Sequence, residues 1–145
     1  MVEYLNKFTA HFHYTYEEFM HFMLPRPGVI ESFVVEDPET KKITDFISFY
    51  ELPSTILRHD THKLLRVAYS YYNVAGKHKI VDLMKDALVL AKQKGFDVFN
   101  ALDIMDNSEF LQELKFGVGD GHLHYYFYNW RIKELPPKEV AVVLV

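Results

Sequence analysis

Cysteine is absent from the 145 residues, which excludes disulfides, thiolate nucleophiles and cysteine-based zinc sites and suits a reducing compartment, the cytoplasm. Basic residues are in deficit, 16 against 20 acidic for a formal charge of −4. That balance argues against nucleic acid as a partner while tolerating a basic peptide. No apolar run reaches the ~18–20 residues of a membrane span, so no transmembrane segment is expected, and Met1 does not open a secretory signal. Glycine and proline are few, six of each, and neither an internal repeat nor a low-complexity tract interrupts the chain.

What is abundant is apolar surface: 49% of residues are hydrophobic and 16% aromatic. Residues 1–145 are expected to form one domain that buries about 68–70% of its unfolded surface. Thr9–Tyr14 alternates as a short strand would. Thr15-Tyr-Glu-Glu18 has the capping-box pattern, and Tyr16, Phe19, Met20 and Met23 then share one helical face. Pro25 and Pro27 end that helix. Val29–Glu36 and Ile43–Tyr50 are strand-like runs forming a hairpin across Asp37–Lys41. Leu52–Thr61 reads as an irregular connection.

Arg66–Val74 follows as a strand, with Val67, Tyr69, Tyr71 and Asn73 on one face and Ala68, Ser70 and Tyr72 on the other. Lys79–Lys94 has helical spacing throughout and Gly95 as its C-cap. Asp97–Leu102 reads as a strand, Asp106–Glu109 as the cap of a short helix, and Val140–Val145 as a β-branched strand after Pro136-Pro137. Hairpins plus a long helix between strands imply an α+β architecture: a mixed, mostly antiparallel sheet flanked by helices.

One stretch organises the rest. Gly117, Gly119 and Gly121 alternate around Val118 and Asp120, and Leu123–Trp130 adds Tyr125, Tyr126, Phe127, Tyr128 and Trp130. The glycines read as a sharp, uncrowded turn, and the aromatics as a pleated, largely buried central strand. A Walker-type phosphate cradle requires a Gly-Lys-Ser/Thr ending and a following helix, and here a strand is expected. His11, His13 and His21, and Asp120, His122 and His124, lie close in sequence. A zinc site needs three or four convergent ligands, which the sequence does not show, so no metal is expected. Ser54 after a proline suits a turn, Tyr69 a core position and Asn100 a strand end.

Several runs together are more specific than any of these alone. Lys115–Trp130, Thr44–Tyr50, Leu52-Pro-Ser-Thr-Ile56, Ala68–Val74 and Gly95–Leu102 resemble, in order, the C-terminal half of the eukaryotic N-myristoyltransferase family. The resemblance implies one of the family's two acetyltransferase-like (GNAT-like) halves, the longer enzyme's N-terminal half being a partner. It also implies that Ser54, Tyr69, Asn100, Asp120 and Gly121 line a groove for N-terminal-glycine peptides. Myristoyl-CoA is implied as co-substrate, bound mainly by the N-terminal half, with no further cofactor.

The resemblance also gives Val145 a role. A charged terminus in a buried strand needs partners, and a frayed tail is the ordinary outcome. In the family the C-terminal carboxylate is the base that takes a proton from the substrate glycine. A peptide ammonium (pKa roughly 7.7–8.0) must lose a proton before it attacks a thioester, and desolvation raises a carboxylate (about 3.3–3.7 in water) toward it. Two positions depart from the family pattern near that end: Ala141 stands where glycine is common and Val145 where Leu or Gln is. His122 stands where a small polar residue is frequent. Without its other half the chain is expected to be feeble or inactive; a stand-alone peptide-binding module and an isolated fragment are the alternatives.

Overall fold

A computed structural model describes residues 1–145. Helix α1 (Val2–Leu5) leads to a two-residue strand β1 (Ala10–His11) and helix α2 (Tyr16–Met23). The Thr15 hydroxyl accepts from the Glu18 amide at 3.2 Å and the Glu18 carboxylate accepts from the Thr15 amide at 2.8 Å, completing the expected capping box. Strands β2 (Ile30–Glu36) and β3 (Ile43–Glu51) form the expected hairpin. The connection that follows is less irregular than its proline suggested: β4 (Ser54–Thr55) pairs antiparallel with β5 (Leu64–Leu65) in a small separate ribbon.

Strand β6 (Val67–Val74) pairs antiparallel with β3, helix α3 (Ile80–Gln93) crosses over, and β7 (Val98–Asn100) returns parallel to β6. The main sheet is therefore ordered β2-β3-β6-β7, mixed and mostly antiparallel as expected. Helix α4 (Ser108–Leu111) precedes a long stretch without regular structure. A 3₁₀ turn at Pro137–Glu139 then leads into β8 (Val140–Ala141), which pairs parallel with β1.

The sheet is covered on both faces. Ile47, Leu83, Met84, Ala87 and Phe110 bury α3 and α4 against one side, joined by Phe49, Ala68, Ala91 and Phe96. On the other side Leu5, Met23, Ile30, Tyr71, Tyr72 and Ala141 pack α1, α2 and the end of the chain together. The expected alternation along β6 fails because of a β-bulge. Ile47 opposes Asn73 and Phe49 opposes Ser70, so Ser48 faces both Tyr71 and Tyr72, and these neighbours share one core. The Ser48 hydroxyl closes the gap, donating to the Tyr72 carbonyl (2.9 Å) and accepting from its amide (3.1 Å).

Two polar locks hold α3. At its head, buried Asp45 accepts from the amides of Gly76, Lys77 and His78 at 2.9–3.0 Å. At its tail, Gly95 takes φ +81°. There Arg66 bonds both Glu51 carboxylate oxygens (2.7 and 2.8 Å) and the Lys94 carbonyl (2.7 Å).

Three strand expectations are corrected. Leu123–Trp130 is not a strand and not buried: Tyr126, Tyr128 and Trp130 are 87%, 89% and 79% exposed. Aromatic β-propensity is realised only against a neighbouring strand and a covering layer, and this chain supplies neither there. Thr9–Tyr14 and Val140–Val145 shrink to the two pairs of residues in β1 and β8, which have only each other to pair with. Nor does Gly117–Gly121 form a sharp turn: it runs through the irregular stretch and none of its glycines takes positive φ, although it is uncrowded as expected, since a methyl group at any of the three would meet open space.

Candidate functional site

The β3-β6-β7 ladder sets up a row of aromatic side chains. Tyr69 lies between Tyr50 on β3 and Asn100 on β7, its register partners on either side. The Tyr50 and Tyr69 rings stack, 5.3 Å apart and 15° from parallel. Tyr71 meets Tyr50 edge-on at 5.8 Å, Tyr72 lies 4.6 Å from Tyr71, and Tyr14 meets Tyr72 at 6.1 Å. The row thus runs from Asn100 to the end of the chain. Its phenols are held protonated by burial above all: Tyr14, Tyr50, Tyr71, Tyr72 and Tyr125 are all pushed up from the ordinary value. They face this site as hydrogen-bond donors, not as bases.

The tail ends beside this row. Ala141 and Val143 are buried, whereas Val145 is 69% exposed. The expected buried terminus is therefore not seen in this chain, because pairing stops at Ala141 and nothing here covers the last two residues. A cavity of about 270 Å³ opens next to them, lined by Phe12, His13, Tyr14, Phe22, Tyr71 and Val143 together with Leu144 and Val145. Glu18 supplies a side-chain carboxylate to that lining, and it is already engaged by Thr15. An aromatic hollow bordered by a carboxylate is suited to a cationic amine on an otherwise apolar segment.

Of the residues singled out from sequence, Tyr69 and Asn100 are register partners on adjacent strands, and Val145 shares the lining of a cavity with Tyr71. Ser54 is exposed on β4, whose partner β5 runs within one residue into β6. Asp120 and Gly121 are exposed in the irregular stretch, where Gly121 has open space about it. Tyr14, Tyr72 and Tyr125 were missed. Adjacent tyrosines in a strand otherwise apolar enough for a core were the available signal, since a buried phenol must find a partner.

With this geometry in hand, comparison with known proteins is direct. The family described as Myristoyl-CoA:protein N-myristoyltransferase, C-terminal domain, matches residues 1–143. Glycylpeptide N-tetradecanoyltransferase 1 of Arabidopsis thaliana is 54% identical over 143 residues, 98% of this chain and 33% of the relative. Glycylpeptide N-tetradecanoyltransferase 2 of Danio rerio is 56% identical over 128 residues, 88% of this chain and 26% of the relative. Among solved structures, Saccharomyces cerevisiae N-myristoyltransferase with bound myristoyl-CoA superposes with a TM-score of 0.76 at 39% identity, over 82% of this chain and 33% of that one. Glucosamine-6-phosphate N-acetyltransferase of Arabidopsis thaliana shares the fold alone, at TM-score 0.63 and 17% identity over 88% of this chain and 89% of that one. The fold is accordingly acetyltransferase-like (GNAT-like) α+β, and the chain spans a third or less of the length of these N-myristoyltransferase relatives. Family match, identity and superposition agree: the chain belongs to the family of N-myristoyltransferase C-terminal domains.

Proposed function

We propose that this chain supplies the peptide-binding part of an enzyme that transfers a myristoyl group from myristoyl-CoA to the N-terminal glycine amine of a protein. In that reaction the neutral amine attacks the thioester carbonyl, an amide forms, and the carbon–sulfur bond breaks to release the CoA thiol. The amine must first lose the proton it carries near neutral pH. We assign that proton to the Val145 carboxylate, a base within reach of an amine lodged in the aromatic hollow. Ser54, Tyr69, Asn100, Asp120 and Gly121 line the groove along which the rest of the peptide runs. A glycine at the first position fits because any side chain there would meet the walls of so close a site.

The observation that carries this reading is the placement of the tail against the Tyr14–Tyr71 cavity, at one end of the row that begins at Tyr69 and Asn100. Myristoyl-CoA is the co-substrate, and we assign its binding mainly to the part of the enzyme outside this chain. No metal or further cofactor enters the reaction as written. We place it in the cytoplasm, which suits a cysteine-free composition.

Mass spectrometry of a glycine-starting peptide with myristoyl-CoA tests the reading. The chain completed to the family's full length is expected to add one myristoyl group, and to lose that activity when a glycine is appended after Val145. The chain alone is expected to be nearly silent. A completed enzyme that still fails to transfer, while the chain binds the peptide, would instead indicate a binding module.

A further inference from the structure

The last backbone groups of the chain are not held by a strand. Beyond Ala141 the β1–β8 pairing ends, yet burial still alternates, with Val143 buried and Leu144 exposed, as in an extended segment. The ladder is replaced by two phenols. The Tyr72 hydroxyl donates to the Ala141 carbonyl at 3.3 Å and accepts from the Val143 amide at 3.4 Å. The Tyr125 hydroxyl donates to the Val142 carbonyl at 2.8 Å. In an extended segment the first two groups point one way and the Val142 carbonyl the other, so the tail is gripped from both sides.

Neither phenol is placed by accident. Tyr72 is fully buried. Its backbone is fixed by the Ser48 hydroxyl in the bulge, and its own hydroxyl accepts from Tyr14 at 3.4 Å. Tyr125 is half-buried in the stretch whose other tyrosines, Tyr126 and Tyr128, are exposed. The tail would otherwise be free to slide, and a slip of one residue moves its end by about 3.3 Å, enough to carry a hydrogen-bonding group out of reach of its partner.

We propose that Tyr72 and Tyr125 are positioning residues whose hydroxyls set the register of Val142–Val145 and so place the terminal carboxylate against the substrate amine. The inference rests on the role assigned to Val145 above. It differs from a general packing role in what it predicts. A phenylalanine at either position keeps the ring and removes the hydroxyl that holds the tail; at Tyr125 that bond is all that is lost, while at Tyr72 the acceptor of the Tyr14 hydroxyl goes with it.

Two measurements test it. In the chain itself, amide hydrogen exchange at Val143 is expected to accelerate in Tyr72→Phe while core amides of α3 keep their protection; unchanged exchange at Val143 overturns the grip. In the enzyme completed to full length, Tyr72→Phe and Tyr125→Phe are each expected to lower kcat roughly ten- to hundredfold, the scale of a small misplacement of reacting groups. KM for myristoyl-CoA should hold and the pH–rate profile should move. Variants that only melt at lower temperature, with kcat and pH profile intact, overturn the proposal. An enzyme with glycine appended after Val145 separates the two readings. If it keeps full activity, the carboxylate base fails and the proposal with it. If it is inactive while both phenylalanine variants match the wild type, only the proposal fails.

Discussion

Asp45 is a charge with almost no exposed surface, and at the scale of single residues it carries more of the architecture than any site residue. One carboxylate oxygen takes three amides from Gly76–His78, and the other accepts from the Thr44 hydroxyl (2.6 Å) and lies 2.8 Å from the His78 ring. Burial by itself would raise the pKa of this group. The hydrogen bonds, led by that from the His78 amide, outweigh it and hold the carboxyl well below the ordinary 3.8. A depressed carboxylate contributes stability above its unfolded value, and that stability is lost as pH falls through the folded one. Asp45→Ala, which orphans several donors, is expected to cost roughly 3 kcal/mol, a fall in Tm on the order of 10 °C for a chain this size. The gap in Tm between variant and wild type should be full at pH 7 and narrow below about pH 4; thermal melts across that range check it. Gly76 is part of the same device, because a methyl group there would sit 2.1 Å from the Thr44 carbonyl oxygen. Gly76→Ala is expected to push β3 away from the turn and destabilise by about 1–3 kcal/mol, seen as a lower urea midpoint.

At the scale of elements, what could be read from sequence was whatever is decided within a few residues. The capping box of α2, the apolar face of α3 from Ile80 to Ala91 and the β2–β3 hairpin all depend on local spacing, and all stand as expected. The bulge does not: a strict alternation over Arg66–Val74 has no mark of the extra residue, which exists only because Ser48 on another strand can satisfy the backbone of Tyr72. Ser48→Ala would leave that amide and carbonyl buried without a partner. The expected cost is roughly 2–3 kcal/mol, with exchange at the Tyr72 amide rising and β2 amides unaffected; equal protection would show that water takes the place of the hydroxyl. The site was legible to the same degree. Tyr69 and Asn100 fall side by side because both strands were placed correctly, whereas Tyr14, Tyr125 and the β1–β8 pair come from segments far apart in sequence, which no local pattern connects. Leu123–Trp130 shows the converse error, a strong local β preference with no neighbouring strand to satisfy it.

That unsatisfied stretch is a property of the whole molecule. Val118, Leu123, Tyr126, Phe127, Tyr128, Trp130 and Ile132 are all exposed between α4 and the 3₁₀ turn, a run of large apolar side chains of the kind that marks an interface. The N-myristoyltransferase relatives extend well beyond the matched region, this chain spanning 33% of one and 26% of another. We propose that the occupant of the surface is the region by which those relatives are longer. Trp130 is the sole tryptophan of the chain, so in the chain by itself all tryptophan emission reports on this surface. Alone, the chain is expected to emit at long wavelength and to be readily quenched by acrylamide. Its sedimentation should depend on concentration, since uncovered aromatics will pair with one another when nothing else is offered. Joined to the missing part, with tryptophans there replaced by phenylalanine, Trp130 should shift to shorter wavelength and lose most of its quenching. Persistence of a fully quenchable Trp130 in the completed enzyme would place the stretch outside the interface. The grip of Tyr125 on Val142 would then have to hold without a cover. The fluorescence of one residue thus decides whether this surface is an interface.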